Sequence, residues 1–167
     1  MLDIYTIGDE VLREKGERVT KFDSSLAILI DAMYETLEEA DGIGLAAPQV
    51  GISKRFFIVD TRRPGGRIAF FNPEIVEMSH EVGMYEEGCL SIPGVYYDIE
   101  RPLKVTVQAQ DVTGKAFRLE ADGILARVIQ HEYDHLEGIL FVDRMEEGAR
   151  ERLLKAYEKK HRKERKR

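Results

Sequence analysis

The stretch KVTVQAQDVTGKAFRLEA, residues 104–121, alternates apolar and polar side chains on both sides of a turn at Thr113 and Gly114. Such alternation is typical of strands with one dry and one solvated face, which is the arrangement of antiparallel sheets. Upstream, RFFIVDT (55–61) and RIAFFNPEIVEM (67–78) flank the turn RRPGG and predict a second hairpin. An antiparallel sheet is therefore the expected frame of the fold.

Helices are expected on both sides of these strands in the chain. The spacing of apolar residues predicts a first helix from about Ser25 to Ala40, capped by Ser24 and ended by Asp41 and Gly42. A second helix should span roughly 123–137 and stop at Gly138. Residues 9–14, DEVLRE, suggest a short helical turn.

The C-terminal part is predicted as a strand, ILFVD (139–143), followed by a helix. The apolar stripe of that helix would be Ala149, Leu153, Ala156 and Tyr157. Strands and helices are segregated along the chain, so the expected class is α+β. We expect antiparallel sheets around the second helix, with one helix near each terminus.

Composition indicates an ordinary globular chain of 167 residues, with 43% hydrophobic and 34% charged residues. One domain over residues 1–167 is expected from this length. The single cysteine excludes an internal disulfide. Neither a long apolar run nor a signal peptide is visible, which favours a cytoplasmic protein. We also expect a monomer.

Charge is distributed unevenly within the net value of −6. Residues 155–167 contain eight Lys or Arg and two Glu, whereas residues 1–154 are strongly acidic. The basic tail could contact phosphates, for example on the ribosome, or could simply be a solvated chain end. Both interpretations stay open.

The second helix contains HEYDH (131–135), a match to the pattern H-E-x-x-H. Four residues make slightly more than one helical turn, so His131 and His135 share a face and can hold one divalent metal. Glu132 could then reach water at the metal. The alternative is that two histidines meet by chance on a partly buried helix.

A third metal ligand is harder to identify. Phe141 stands where a related zinc pattern has its third histidine. Four glutamates follow the motif, and each is poorly placed or has its own place in a helix: Glu137, Glu146, Glu147 and Glu151. Cys89 is the best remaining candidate, because a thiolate suits a borderline-soft metal. A lone cysteine is, however, more often a small buried apolar residue.

A glycine-rich loop, GIGLAAPQVGIS (42–53), follows the first helix. Its small residues permit close backbone approach, and the Gln49 amide offers an N–H donor for an oxyanion. The loop could equally be a tight connection with Gln49 at the surface.

Together, three segments resemble the signature motifs of the peptide deformylase family: GIGLAAPQ (42–49), EGCLS (87–91) and QHEYDH (130–135). The similarity extends over most of the chain and fades in the basic tail. Enzymes of this family release formate from the N-terminal formylmethionine of new polypeptides. The resemblance implies a metal, usually ferrous iron with zinc, nickel or cobalt also accepted, held by Cys89, His131 and His135.

The resemblance also implies roles for other residues. Glu132 would be the general acid and base, and Gln49 with the backbone N–H of Leu90 would bind the oxyanion. Asp134 and Glu87 could orient the ligating histidines, or could be structural ion-pair partners of Arg101.

A pocket for the methionine side chain is implied as well. Its lining would be Ile43, Gly44, Leu125, Val128 and Ile129, beside His131. These are also ordinary core positions. Several relatives carry an arginine shortly after Ser-Ile-Pro; here Tyr96 stands about there, which leaves the peptide preference open.

Two other functions compete with this interpretation. A zinc peptidase would use the same helix but would need a ligand downstream, where Phe141 interrupts the pattern. A module that binds ribosomes or RNA would depend on the tail alone.

Overall fold

The computed structural model describes residues 1–165. Its α-helices are α1 (Ser24–Glu39), α2 (Gly123–Leu136) and α3 (Glu147–Arg165). Its strands are β1 (Gly44–Ala46), β2 (Phe56–Asp60), β3 (Arg67–Met78), β4 (Val82–Cys89), β5 (Ile92–Pro102), β6 (Val105–Gln110) and β7 (Ala116–Ala121). Short 3₁₀ turns lie at Glu10–Arg13, Ala47–Val50 and Phe141–Arg144.

The strands form two antiparallel sheets. Five strands pair in the order β1-β2-β3-β6-β7, and β4 and β5 form a separate two-stranded hairpin. Both predicted hairpins are confirmed, with Phe57 opposite Phe70 and Val107 opposite Leu119. The expected combination of antiparallel sheets and helices is thus confirmed.

Four phenylalanines explain how α1 and α2 come to lie on opposite faces of the five-stranded sheet. Phe56 and Phe71 stack at 5.0 Å between ring centroids and pack with α1, whereas Phe57 and Phe70 stack at 4.7 Å and pack with α2. All four rings are fully buried. Burial of such a side chain contributes about 2–3 kcal/mol each, so these strands anchor both helices.

The boundaries of α1 and α2 lie within two residues of the predicted ones, but the cap of α1 differs. Asp23, not Ser24, is the N-cap, and its carboxylate accepts a hydrogen bond from Ser25 N at 3.1 Å. Ionised Asp is as good an N-cap as Ser, so the choice between neighbours was not set by residue type. The helix ends as expected, with Asp41 at φ 56°.

The predicted strand ILFVD is wrong. Residues 141–144 form a 3₁₀ turn, in which Leu140 N donates to the Asp143 carboxylate and Asp143 N donates to Leu140 O, both at 2.9 Å. Phe141 and Val142 are buried against the β4–β5 hairpin and α3. Apolar residues in sequence can fill a core from a tight turn as well as from a strand.

Helix α3 is confirmed, but one residue of its predicted stripe is misplaced. Ala149, Leu153 and Tyr157, together with Leu154, pack against the buried apolar side chains of the 3₁₀ turn and the β4–β5 hairpin, while Ala156 is exposed. The last two residues of the predicted basic tail, 166–167, lie outside the described residues. Within the described chain, helices long and apolar enough to span a membrane are absent.

Candidate metal centre and active site

Helix α2 carries both motif histidines on its buried side. His131 is 8% exposed and His135 1%, and their rings approach to 5.2 Å between centroids. The burial of these polar rings follows from the position of α2, which lies between the five-stranded sheet and the β4–β5 hairpin. The pattern i, i+4 therefore does bring two imidazoles together.

Cys89 reaches the histidines from the end of β4. A shift of register after Gly88 breaks the β4–β5 pairing at this point. The Cys89 Sγ atom lies 3.4 Å from His135 Nε2, and one potential ligand atom from each of Cys89, His131 and His135 lies within 4.8 Å of the others. Ser91 N donates to Sγ at 3.4 Å.

This donor set fits a single divalent cation. One thiol and two imidazoles supply three protein ligands, the number that leaves a fourth position for water in catalytic metal sites. Two buried polar atoms nearby, Glu132 Oε1 and His135 Nδ1, have no hydrogen-bond partner among the described residues. Phe141, which replaces the third histidine of the zinc-peptidase pattern, stacks on the His131 ring at 6.2 Å.

Glu87 fixes the orientation of the His131 ring. Its Oε1 lies 2.8 Å from His131 Nδ1, so the other ring nitrogen is the one left for a ligand. Burial alone would raise the pKa of Glu87, but hydrogen bonds from His131 and Arg101 outweigh it and lower the pKa to about 2. Glu87 is therefore an anion, and it plays both roles that the sequence left open.

The pKa values of the two histidines are shifted in opposite directions. Burial disfavours the His131 cation, but Cys89, Glu132 and Glu87 surround it and raise its pKa above the usual value. Burial, followed by the charge of His131, lowers the pKa of His135. Neighbouring groups therefore decide the direction of the pKa shift for His131, and burial decides it for His135.

Glu132 is buried against β1. It is 4% exposed, and burial raises its pKa to about 7. Gly44 makes room for it, since a Cβ atom there would lie 2.6 Å from Glu132 Oε2 and 2.8 Å from Val128 Cγ1. A carboxyl group with such a pKa can both accept and donate a proton near neutral pH.

Gln49 is buried, not at the surface. Its Oε1 accepts from Ala46 N at 2.9 Å, which leaves Nε2 directed at Ser91 Oγ, 3.1 Å away, and Cys89 Sγ, 3.6 Å away. Leu90 follows Cys89 directly and lines the same cavity. The amide is thus locked with its N–H side toward the site.

A cavity of about 480 Å³ opens beside these groups. Ile43, Gly44 and Val128, three of the residues predicted for a methionine pocket, line this cavity. Leu125 and Ile129 do not: both pack in the core between α2 and the five-stranded sheet, and their assignment to the pocket is wrong. The reason is helical phase, because residues 125 and 129 lie on the side of α2 that faces the sheet.

The residues that sequence reasoning missed share the correct phase. Ile124 and Arg127 line the cavity, and with Val128 and His131 they follow the spacing i, i+3, i+4, i+7. That stripe was a usable signal. Arg127 donates to Glu87 Oε2 at 2.9 Å and to the backbone oxygens of Ile99 and Gly83, which attaches the hairpin to the helix.

Asp134 does not contact either histidine nitrogen. It accepts hydrogen bonds from Arg101 and from Arg144, so the structural alternative holds for this residue. Glu137, one of the rejected ligand candidates, pairs with Arg55 and Lys15 at the surface of the molecule.

Comparison with known proteins gives one consistent result. The sequence model of the polypeptide deformylase family matches residues 1–151. The peptide deformylase of Caldicellulosiruptor bescii is 52% identical over 142 residues, which cover 85% of this chain and 84% of that protein. That of Thermotoga neapolitana is 48% identical over 150 residues, covering 90% of each. A crystal structure of a peptide deformylase from Legionella pneumophila superposes with a TM-score of 0.93 at 40% identity, over 100% of this chain and 99% of that one.

Proposed function

Since this chain belongs to the polypeptide deformylase family, whose enzymes remove the formyl group from N-terminal methionine, we propose that it does so at a metal centre built from Cys89, His131 and His135. The chain is a hydrolase of N-terminal protein processing. The single observation that carries the residue assignment is the meeting of one thiol and two imidazoles within 4.8 Å at a cavity.

The metal we propose is a divalent cation, ferrous iron first, with zinc, nickel or cobalt as substitutes. When bound, such an ion supplies Lewis acidity, which lowers the pKa of water and polarises a carbonyl oxygen. The Glu87 carboxylate supports this site by accepting a hydrogen bond from His131 Nδ1, which keeps the ligating nitrogen directed at the ion.

Glu132 moves the protons of the reaction. Its carboxylate takes a proton from the water whose oxygen adds to the formyl carbon. It then gives that proton to the nitrogen of the leaving amine as the C–N bond breaks, and formate and a free amino terminus result. A pKa of about 7 supports both steps, because each protonation state is then accessible at neutral pH.

Gln49 Nε2 and the backbone N–H of Leu90 donate to the oxyanion that forms on the formyl oxygen. The Gln49 amide is already oriented by its bond to Ala46 N, so it needs no rearrangement during the reaction. Loss of one such donor typically costs about 3 kcal/mol in the transition state.

The methionine side chain would occupy the apolar part of the cavity, beside Ile43, Val128 and His131. Gly44 lets the backbone of β1 approach this part of the site closely. The peptide that follows methionine would leave past the exposed Tyr96, which lies at the rim of the cavity.

We also propose that the enzyme works in the cytoplasm on nascent chains and meets the ribosome through its basic C-terminal segment. Support comes from the excess of Lys and Arg in residues 155–167, set against an acidic body. Ribosomal RNA is a polyanion close to every emerging chain, and basic segments bind such a surface in a salt-dependent way.

The test of the activity is formate release from a short formylmethionyl peptide by purified protein. A chelator should abolish the release and added Fe²⁺, Ni²⁺ or Co²⁺ should restore it. A peptidase would instead cleave an internal bond, which mass spectrometry of the same samples would reveal. Internal cleavage without formate would contradict the proposal.

Cys89→Ala separates a metal ligand from a covalent nucleophile. If Cys89 is a ligand, the variant loses tight metal binding together with activity, because two protein ligands make an incomplete site. Metal content and formate release are measured on one sample. Full metal occupancy without activity would favour a nucleophile and overturn the ligand assignment.

A further inference from the structure

A row of alternating charges runs from the surface of the protein to the His131 ring. It begins at Arg144 in the 3₁₀ turn after α2 and continues through Asp134, Arg101 and Glu87. Arg144 is 44% exposed at its side chain, whereas the other three are at most 7% exposed. The mechanism above uses only the inner end of this row.

Each link in the row is a close, charge-assisted hydrogen bond. Arg144 Nε and Nη2 donate to the Asp134 carboxylate at 2.6 and 2.7 Å. Arg101 Nη1 donates to the same carboxylate at 2.9 Å. Arg101 turns its other two nitrogens toward Glu87, at 2.6 and 2.9 Å. Bonds of this kind are about twice as strong as neutral ones, and they fix geometry as well as charge.

The two oxygens of Glu87 are not held equally. Oε2 accepts from both Arg101 and Arg127. Oε1 accepts from His131 Nδ1 itself and from Arg101, so among the described residues Arg101 is the one donor that holds this oxygen toward the ring. The orientation of His131 therefore depends on where the Arg101 guanidinium lies.

We infer that Arg144 is a positioning residue for the metal centre, acting through Asp134 and Arg101 on Glu87. Without Arg144, the buried Asp134 carboxylate keeps one donor among the residues that the structure describes, Arg101. A buried anion short of donors attracts the nearest cation. Arg101 then moves toward Asp134, which weakens its hydrogen bond to Glu87 Oε1. As a result, the His131 ring loses its fixed orientation. The inference depends on the proposed role of His131 as a ligand.

The expected effect is on metal affinity. Removal of the partner of a ligating histidine typically weakens metal binding about 10–100-fold, and Arg101 and Asp134 lie between that partner, Glu87, and Arg144, so we expect about tenfold. The probe is Co²⁺, bound to the metal-free protein in competition with a chelator. The visible absorption spectrum of bound Co²⁺ reports ligand geometry directly, and a general loss of stability would not change it.

Arg13 provides a matched control. It is 42% exposed, and it forms an ion pair with Asp143 of the same 3₁₀ turn, but within the described part of the chain no hydrogen bond connects this pair to Glu87. Arg13→Gln should leave Co²⁺ affinity within about twofold of wild type, while Arg144→Gln lowers it and alters the spectrum. Arg144→Lys should recover part of the affinity, because an ammonium group still donates to Asp134.

Unchanged affinity and spectrum in Arg144→Gln would overturn the inference, as would an equal loss in Arg13→Gln. If Arg144→Gln does not fold, Arg144→Lys decides: a folded protein with a wild-type Co²⁺ spectrum and affinity would contradict it, and an intermediate affinity would support it. A wild-type protein that binds no Co²⁺ would instead contradict the proposed metal centre itself.

Discussion

At the scale of single residues, the proposed proton transfer by Glu132 depends on where the fold buries its side chain. It is buried beside two histidines, and β1 leaves only glycine-sized space against it. Glu132→Gln keeps the shape but cannot accept a proton. We expect metal content to stay the same and formate release to fall about 10²–10⁴-fold, the usual contribution of general acid–base catalysis. Near-normal turnover by a metal-loaded Glu132→Gln protein would contradict its role.

Tyr34, on α1, gives a prediction about stability and pH away from the site. Burial raises its pKa to about 12, the nearby Arg67 guanidinium opposes this, and Asp60 adds to it. In the unfolded chain the phenol ionises near pH 10. The folded protein then binds the proton more tightly, so its stability is complete below pH 10 and declines as pH rises toward 12.

Tyr34→Phe removes this effect. Urea unfolding at pH 9 and pH 11.5 should show a loss of stability in the wild type that exceeds the loss in the variant by about 1–2 kcal/mol. Other groups titrate in both proteins and cancel in the difference. Equal losses in the two proteins would show that the Tyr34 phenol ionises as freely in the fold as in water.

At the scale of elements, the approach of β1 to α2 depends on Gly44. A methyl group there would meet Glu132 and Val128 at less than 3 Å. Gly44→Ala should therefore displace Glu132 and lower turnover by at least about tenfold, since small misplacements of catalytic groups are costly. The accompanying loss of stability should be about 1–3 kcal/mol, typical of overpacking.

Gly148→Ala in α3 is the control for that variant. Its added methyl would meet only the flexible end of the Arg152 side chain, at 3.4 Å. Turnover and stability should stay near wild type, and alanine is the better helix former. Full activity in Gly44→Ala would show that the glycine serves the fold of the loop only.

The elements differ in how far the sequence determines them. Clear periodicity predicted α1, α2 and the two hairpins of the five-stranded sheet. The β4–β5 hairpin was not predicted, because its inner positions are partly charged, with Glu87 and Arg101 buried as partners. ILFVD was misassigned because burial in a turn and burial in a strand require the same apolar residues.

The site was predictable to the same degree. Spacing alone paired His131 and His135, whereas Cys89 was only the best remaining candidate until the resemblance supported it, since it lies 42 positions before His131 and nothing local links them. Two of the three pocket residues predicted on α2, Leu125 and Ile129, face the sheet instead of the cavity, because the helical phase was not determined. Arg144 gave no signal that distinguishes it from a surface arginine, since only tertiary structure supplies its partner Asp134.

At the scale of the whole molecule, the end of the basic C-terminal segment can be deleted without changing the residues of the catalytic site. Deletion of residues 163–167 removes four basic residues and one acid, and it spares Tyr157, which packs on the core. We expect unchanged kcat/KM on a short formylated peptide and weaker association with ribosomes at low salt. Sedimentation with ribosomes over a salt series measures the second effect.

The control for this deletion neutralises three basic residues of the body: Lys104→Gln, Lys115→Gln and Arg118→Gln in one protein. It changes net charge by the same amount but leaves the segment intact. Equal ribosome affinity in the deletion and the wild type would rule out a role for residues 163–167, and an equal loss in the control would show that overall charge decides.

The chain leaves the five-stranded sheet to form the β4–β5 hairpin and returns to the sheet at the same place. There Ser79 N donates to Lys104 O and Leu103 N donates to Glu81 O, both at 3.0 Å. An excursion closed at its base can open as a cooperative unit while the rest of the protein stays folded. Amide hydrogens of residues 82–102 should then exchange with solvent together and earlier than those of β2 and β3; simultaneous exchange of all strands would contradict this. Cys89 is the last residue of β4 and would move when the hairpin opens. The lifetime of a bound ion would then be set by this local opening rather than by global unfolding.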